Sequence, residues 1–273
     1  TVRMTRIAVI GNCQATALYS YLRRIKGIEV AAVLDVNERG SDGYAVALQR
    51  VETRDGIDLV FSQPLSDNLD EIATSKLQGR YGENFVSFTN IYFLGVFPDL
   101  SYFGGFGKRF QSPLQDYHSK LALVGFLKGL TLEDTLALYR PRIYEQMHYF
   151  EAYASSMKEL RGRDAAIDIQ FADEFDAMTK QQQTLLTVNH PTAPPLARLA
   201  ERIAQRALGT RASMPHAFAA NPLADSAVWP IYPEIVEHCG LSYSTPFLFY
   251  PRASEGQPPL TLREFVGLSL SLI

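Results

Sequence analysis

The feature that most constrains the fold is the order of apolar and helical segments in the first 35 residues. "RIAVIG" (6–11) and "IEVAAVLD" (28–35) are apolar runs rich in β-branched residues, as is typical of buried strands. Between them, "ATALYSYLRRIKG" (15–27) has the period of an amphipathic helix and ends at a glycine. A strand, a helix and a strand in this order predict a βαβ unit, in which the two strands are parallel.

The same alternation continues to about residue 90. We predict a helix at 42–53, a strand at 58–63, a helix at 67–79 and a strand at 84–90. The predicted fold class is therefore α/β, with a mainly parallel sheet flanked by helices. Gly11, Gln63 and Asn90 stand at strand ends, and ligands of open parallel sheets bind beyond the carboxyl ends of the strands.

The chain changes character after residue 110, where helical periodicity dominates. We predict helices at 113–129, 131–139, 142–161, 165–181, 195–208, 233–239 and 261–272, with a short strand at 184–191. Since no repeat or linker interrupts it, we interpret the chain of 273 residues as one compact domain. Residues 1–110 would form its βα core, and residues 111–273 a helix-rich part that completes the site.

Charge and composition exclude several classes of protein. Lys and Arg total 26 against 29 Asp and Glu, without runs of like charge, so a nucleic-acid partner is not expected. No segment approaches the roughly 20 apolar residues of a membrane span, and the start lacks the apolar core of a signal peptide. Cys13 and Cys239 lie too far apart for a disulfide framework or a metal-ligand motif. We therefore expect a cytoplasmic protein without a metal.

A cysteine stands where the first strand turns into the first helix, in "GNCQ" (11–14). Unpaired backbone N–H groups and the helix dipole stabilise an anion there, which predicts a lowered pKa and a reactive thiolate for Cys13. The same N–H groups would bind an oxyanion formed on an acyl substrate, and Gly11 permits a tight turn. The alternative is that Cys13 is a small buried residue and Asn12 only caps the helix. The phosphate-binding motifs G-x-G-x-x-G and G-x-x-x-x-G-K-[ST] are absent.

A thiolate used in acyl transfer needs an acid or base, for which histidine is the usual residue. His190, in "TVNHPTAPP", follows a predicted strand, and His118, in "SPLQDYHSKLAL", lies early on a predicted helix. Both are candidate catalytic residues, and Asn189 or a backbone carbonyl would orient His190. The alternatives are an ordinary loop histidine and a surface histidine. Structural roles are favoured for the histidines that lack a motif, His148, His216 and His238.

Three segments resemble a known family. "IGNCQ" (10–14), "NIYFLGVFPDL" (90–100) and "DYHSKLAL" (116–123) resemble the WcbI-type family of bacterial capsular polysaccharide biosynthesis enzymes. More distantly, the turn resembles the Gly-Asp-Ser block of SGNH/GDSL-type esterases and acetyltransferases, with Asn12 for Asp and Cys13 for the nucleophilic Ser. The resemblance implies an SGNH- or flavodoxin-like sheet. It also implies an O-acetyltransferase that uses acetyl-coenzyme A and a sugar or polysaccharide-precursor acceptor.

The resemblance implies roles for individual residues as well. SGNH proteins carry an oxyanion-donating Asn after the fourth strand, which is the position of Asn90. They place a histidine in a late loop with Asp three residues earlier, where this chain has Thr187 before His190, so a Cys-His dyad would replace the triad. The match to the third family segment supports His118. The predicted oxyanion-binding or substrate-positioning residues are Gly11, Asn12, Gln14, Asn90 and Asp99.

The segment 88–110 is rich in both aromatic residues and glycines, which predicts a loop folded over a cleft. Its rings would cover the pantetheine arm of coenzyme A or stack on a sugar, and Asp99 would accept hydrogen bonds from sugar hydroxyls. The alternative is a loop that closes the core. The candidate side chains for the coenzyme phosphates are Lys108, Arg109 and Lys120, with Arg140 and Arg142 as a second cluster.

These observations favour a coenzyme A-dependent O-acetyltransferase that acts on a sugar hydroxyl in capsular or exopolysaccharide biosynthesis. Cys13 would either carry the acetyl group or stabilise a direct transfer. One alternative is a cysteine-dependent esterase or deacetylase with water as the acceptor. Another is a non-catalytic protein that binds a coenzyme or a sugar, in which Cys13 only packs.

Overall fold

The first part of the chain forms a four-stranded parallel sheet. The computed structural model describes residues 4–105, 107–209, 221–252 and 256–272. Strands β1 (Thr5–Gly11), β2 (Ile28–Asp35), β3 (Leu59–Ser62) and β4 (Phe85–Ser87) lie in the order β2-β1-β3-β4. Every neighbouring pair is parallel. The predicted α/β fold class, with helices dominating the later part of the chain, is therefore confirmed.

The remaining elements of the described chain are helices and short strands. The helices are α1 (Cys13–Leu22), α2 (Asp42–Thr53), α3 (Thr74–Tyr81), α4 (Lys120–Lys128), α5 (Leu132–Leu136), α6 (Pro141–Gln146), α7 (Ala152–Asp164), α8 (Ala172–Gln181), α9 (Ala193–Leu208), α10 (Pro233–Cys239) and α11 (Leu262–Leu272). The short strands are β5 (Leu100–Ser101), β6 (Gly104–Gly105), β7 (Lys108–Arg109), β8 (His118–Ser119), β9 (Leu185–Thr187) and β10 (His190–Pro191). Four 3₁₀ helices cover Val36–Glu38, Asp67–Ile72, Gly82–Asn84 and Pro222–Asp225.

The described chain forms two compact units. Unit 1 comprises Thr1–Ile91, Arg161–Phe175 and Pro191–Leu223, and unit 2 comprises Tyr92–Leu160, Asp176–His190 and Ala224–Ile273. The interpretation of the whole chain as one domain with a βα core to residue 110 stays a prediction.

The sheet of unit 1 is covered by helices because alternate residues of each strand point to opposite faces. Ala8 and Ile10 of β1 pack with Tyr44 of α2 and Leu77 of α3 in one apolar cluster. Helices α1 and α9 contact each other, β1 and β2. Because helices cover the faces of the sheet, a ligand site is expected at the carboxyl ends of the strands, among the loops that follow them.

In unit 2, helices α4, α5 and α11 pack against one another, and β8 pairs with β5 in antiparallel fashion. The predicted helix at 113–129 is wrong over its first turns, because α4 begins only at Lys120. Gln115 has a left-handed backbone (φ 61°), and the Ser112 hydroxyl accepts a hydrogen bond from Leu114 N at 2.8 Å, which holds a turn. The predicted helix at 142–161 is interrupted where His148 has a φ of 56°. In the described part of the chain, every helix is too short or too polar to cross a membrane.

Candidate active site

Cys13 lies at the turn that connects β1 to α1, as predicted. Asn12 caps the helix, since its Oδ1 accepts a hydrogen bond from Gln14 N at 3.0 Å, and Cys13 is the first helical residue. The thiol is half-buried. The cap and the cysteine are therefore parts of the same local structure, and the capping role of Asn12 is confirmed.

Side-chain amides from α1 and from the residue that follows β3 hold this turn, and backbone groups determine their orientation. The Asn12 backbone N–H can only donate, so the atom that it contacts at 2.9 Å is Gln63 Oε1. Gln63 Nε2 then donates to Gln14 Oε1 at 3.1 Å, and Gln14 Nε2 donates to Ile91 O at 2.7 Å. Gln14 is fully buried, so the prediction that it donates to a ligand is wrong. It holds the turn instead.

Gly11 allows the side chain of Gln63 to pack closely against the turn. A Cβ at this position would lie 2.5 Å from Gln63 Oε1, much closer than such atoms pack. The glycine therefore allows the side chain that follows β3, the neighbouring strand in the sheet, to reach the turn.

Asn90 is the last member of the amide cluster, which consists of the side chains of Asn12, Gln14, Gln63 and Asn90. Its own N–H donors are not used within this cluster. Asn12 uses Oδ1 as the helix cap, so its Nδ2 donates to Asn90 Oδ1 at 3.2 Å. Asn90 Nδ2 then donates to no described residue. Asn90 also lines a cavity of about 260 Å³ with Pro64 and Ile167. It lies three residues after β4, and its amide is suited to an oxyanion or a ligand carbonyl.

The predicted electrostatics of Cys13 are wrong. The pKa of its thiol is raised from 9.0 to about 11, first because burial disfavours the thiolate and second because the Asp35 carboxylate is near. Backbone N–H groups of Cys13 and Gln14 lower the pKa, but by less. The resting residue is a protonated thiol.

Asp35 is a residue that sequence reasoning missed. It ends β2 in register with Gly11, so both stand at the carboxyl edge of the sheet. Its side chain is buried, and burial raises the pKa of its carboxyl. The signal in the sequence is the acid that ends the apolar run "IEVAAVLD" (28–35), at the same edge of the sheet as the strand-end residues Gly11 and Gln63.

His118 is buried in unit 2, only 1% exposed. Its Nε2 lies 2.9 Å from Phe110 O, and because a carbonyl can only accept, Nε2 carries the proton. Nδ1 has no hydrogen-bond partner among the described residues. Its ring packs edge-on against Phe103. The ring therefore keeps one nitrogen, Nδ1, that is not used in a hydrogen bond within the described residues.

His190 is half-buried, and burial lowers its pKa to about 4, so it is neutral at pH 7. Its Nδ1 bonds to no described residue, whereas Asn189 Oδ1 accepts from the Tyr117 hydroxyl at 3.2 Å. Neither Asn189 nor a backbone carbonyl bonds to Nδ1, so the prediction that one of them orients His190 is wrong for this nitrogen. Thr187 donates to the same Tyr117 hydroxyl at 3.2 Å. Tyr117 packs edge-on against His190 and directly precedes His118, and sequence reasoning missed it.

The other histidines were expected to have structural roles. His148 is exposed beside Glu151, and His238 is exposed and stacks on Phe150. His216 lies outside the described residues.

Asp99 is placed in the core of unit 2. It is 1% exposed, and its carboxylate accepts hydrogen bonds from Tyr149 at 2.7 Å, Tyr232 at 2.6 Å and Leu121 N at 3.1 Å. The prediction that Asp99 accepts from sugar hydroxyls is wrong, because tyrosine hydroxyls and the start of α4 already occupy its oxygens.

The aromatic segment divides into a buried and an exposed part. Phe93 and Phe97 are buried in unit 2, so this part closes the core and does not cover a cleft. Further along, Phe103 and the half-exposed Phe110 pack at 5.0 Å beside the β6–β7 hairpin. Only this second part remains available to contact a ligand.

Two of the predicted phosphate-binding side chains are engaged elsewhere. Lys120 Nζ donates to Pro98 O at 2.6 Å, and burial lowers its pKa. Arg109 pairs with Asp116 at 3.1 Å. The basic side chains Lys108, Arg140 and Arg142 are exposed. Among the residues that the structure describes, no group of three or more His, Cys, Asp or Glu could hold a metal ion.

The fold and the turn together define an α/β protein with a cysteine-centred site at the carboxyl edge of a parallel sheet. Residues 6–213 match the family model described as "Polysaccharide biosynthesis enzyme WcbI". The chain therefore belongs to the WcbI family of polysaccharide biosynthesis enzymes, as the three sequence segments predicted. A comparison with curated proteins finds no match.

The fold is similar to that of a solved WcbI structure. The TM-score is 0.75 at 18% identity, over 99% of this chain and 90% of the other. That structure is described as a novel polysaccharide biosynthesis enzyme, in its native form without a disulfide bond between coenzyme A and one of its cysteines. At this identity the similarity establishes the fold.

Proposed function

We propose that the protein is a coenzyme A-dependent O-acetyltransferase that modifies a sugar hydroxyl in capsular or exopolysaccharide biosynthesis. Membership of the WcbI family supports a role in polysaccharide biosynthesis. The description of its structural neighbour, which names coenzyme A and a cysteine, supports the donor. The observation that carries the proposal is Cys13 at the start of α1, in a turn held by buried side-chain amides.

The residues around the turn fit an acetyl thioester as substrate. Cys13 lies at a helix N-terminus, where backbone N–H groups favour developing negative charge. Asn90 keeps its amide donor beside the same turn. Lys108 and Arg142 are exposed cations for phosphate groups, and their part in binding the coenzyme is a proposal.

In the covalent route, the acetyl carbon passes from the donor sulfur to the Cys13 sulfur, and the thiol proton passes to the donor sulfur. The sugar oxygen then replaces the Cys13 sulfur, and the hydroxyl proton returns to Cys13. In the direct route, the sugar oxygen takes the acetyl group from the donor, the donor sulfur leaves and takes up the proton of the sugar hydroxyl, and the Cys13 thiol stabilises the oxyanion. Because the pKa of the Cys13 thiol is raised, the covalent route needs a base to remove the thiol proton. The Cys13 thiolate is a small fraction of the protein at neutral pH, but it is strongly nucleophilic. His118 and His190 are the proposed bases, since the Nδ1 atom of each has no hydrogen-bond partner among the described residues.

Calorimetric titration with coenzyme A tests the proposal. Saturable one-site binding is expected, and it should be retained in Cys13→Ser. Absence of binding by a folded sample would contradict the proposal, and ester hydrolysis without coenzyme A would then support a cysteine-dependent esterase.

Mass spectrometry after incubation with acetyl-coenzyme A separates the two routes. An acetyl group trapped on the Cys13 peptide supports the covalent route, whereas turnover without it supports direct transfer. Loss of a general base typically costs 10²- to 10⁴-fold, roughly, so His118→Ala or His190→Ala should slow transfer on that scale. If both variants keep wild-type rates, neither histidine is the base.

A further inference from the structure

A cavity of about 390 Å³ lies along the outer edge of the sheet in unit 1. It runs beside β2, which is the terminal strand in the order β2-β1-β3-β4. Thr16 and Tyr19 of α1 line one side, and Ala47 and Arg50 of α2 line the other. Its volume is within the range of small-molecule sites.

One end of this cavity is formed by Asp35, whose carboxylate is only partly used. Asn37 donates to Asp35 Oδ1 twice, from its backbone N and from Nδ2, both at 2.9 Å. Asp35 Oδ2 accepts no hydrogen bond from any described residue, although the side chain lines the cavity and the residue is only 7% exposed. Oδ2 keeps some exposure to solvent, so it can accept a hydrogen bond from a hydroxyl of a ligand in the cavity.

The cavity is adjacent to the cysteine turn. Cys13 and Thr16 are three residues apart on α1, which places them on the same side of the helix. Asp35 is paired with Gly11 across β1 and β2, and its charge acts on the Cys13 thiol. A ligand in the cavity therefore lies one helical turn from the sulfur.

The lining chemistry suits a neutral polyhydroxyl compound. Asp35 and Glu38 accept hydrogen bonds from hydroxyls, and their two carboxylates outnumber the one cation of the lining, Arg50, which favours a neutral ligand over a phosphate group. Thr16 and Tyr19 add hydroxyls and an aromatic ring. Arg50 donates to Ala31 O at 2.7 Å, which occupies the exposed strand edge and disfavours pairing with another strand.

We infer that this cavity binds the acceptor sugar, with Asp35 Oδ2 accepting a hydrogen bond from one of its hydroxyls. The inference rests on the proposed function, because it places the acceptor next to Cys13. The acceptor sugar would then bind on the β2 side of the turn that contains Cys13. The cavity that Asn90 lines lies at the other end of the amide cluster.

The test is ligand-observed NMR with methyl glycosides of common hexoses and N-acetylhexosamines. Wild-type protein is expected to bind at least one of these sugars. Asp35→Asn keeps the Oδ1 acceptor for Asn37 but removes the charge. It should weaken binding of that sugar about tenfold or more, as a lost charge-assisted hydrogen bond does.

Gly43→Phe provides a second variant that fills the cavity. Gly43 lines the cavity, and a Cβ there meets no atom within 4 Å, so the variant should fold and block the sugar. The matched control is Ala45→Phe, two residues along α2, exposed and outside the cavity lining. Sugar binding by this control should equal that of wild type, and coenzyme A affinity should be unchanged in all three variants.

Three results overturn the inference: no sugar of the panel binds to wild type, neither variant weakens sugar binding, or the variants weaken coenzyme A binding to the same degree. If wild type binds a sugar at this cavity but not coenzyme A, the proposed function fails while the sugar site stands.

Discussion

The protonation of Cys13 gives the sharpest prediction. Two causes raise the pKa of its thiol, burial first and the Asp35 carboxylate second. Asp35→Asn removes the second cause and leaves the first. We therefore expect the thiol pKa to fall from about 11 but to stay above 9.0.

The expected magnitude follows from the fraction of thiolate. At about pH 8, a thiol with a pKa of about 11 is roughly 0.1% ionised, against roughly 10% for a pKa of 9.0. The higher intrinsic nucleophilicity of the more basic thiolate offsets about tenfold of this roughly hundredfold difference. Cys13 in the folded protein should therefore be alkylated about tenfold more slowly than in the unfolded chain.

The assay is iodoacetamide labelling from about pH 7 to about pH 10, with peptide mass spectrometry to separate Cys13 from Cys239. The wild-type rate should rise over this whole range without a plateau. Asp35→Asn should react faster at each pH, and Glu38→Gln, which removes an exposed charge nearby, should change the rate less.

A plateau of the wild-type rate below pH 9 would refute this reasoning, because the thiol would then be a stabilised thiolate as the sequence alone suggested. An Asp35→Asn rate equal to wild type would refute the assigned role of Asp35.

Three further predictions concern stability. Gly11→Ala should displace Gln63 from the turn and cost about 1–3 kcal/mol in urea unfolding, since a Cβ would lie 2.5 Å from Gln63 Oε1. Asp99→Ala should cost about 3 kcal/mol or more in the same measurement, because it leaves buried tyrosine hydroxyls without their acceptor. The pKa of His190 is lowered from 6.5 to about 4 in the folded protein, so on acidification His190 is protonated in the unfolded chain before it is protonated in the folded protein. Stability should therefore fall by up to about 3 kcal/mol between these pH values, and His190→Asn should remove that component.

Matched controls keep these measurements specific. Gly79→Ala, at an open position on α3, should not destabilise the protein, and an equal loss there would contradict the account of Gly11. Asp116→Ala removes a more exposed carboxylate and should cost less than about 1 kcal/mol. His238→Asn, which replaces an exposed histidine, is the control for the loss of an imidazole elsewhere in the chain. A similar acid dependence in wild type and His190→Asn would contradict the proposed cause.

Local patterns predicted much of the fold. The strand at 28–35 and the helices at 42–53 and 233–239 have their predicted bounds, because their apolar periods and capping residues are local. The helix predicted at 113–129 failed because side-chain hydrogen bonds around Ser112 hold a turn that apolar periodicity does not show.

The candidate site was predicted only in part. The position of Cys13 followed from the strand, turn and helix around it. The functions of Asp99 and Gln14 were misjudged because their partners lie far along the chain. Tyr232 is 133 residues from Asp99, and Ile91 is 77 residues from Gln14.

The sequence by itself determined the order of strands and helices and the placement of a cysteine at the first turn, since these depend on residues that are neighbours in the chain. Only the tertiary structure decided the chemical state of that cysteine. Burial and the approach of Asp35 exist only in the packed protein, and together they outweigh the stabilising effect of the helix N-terminus on a thiolate.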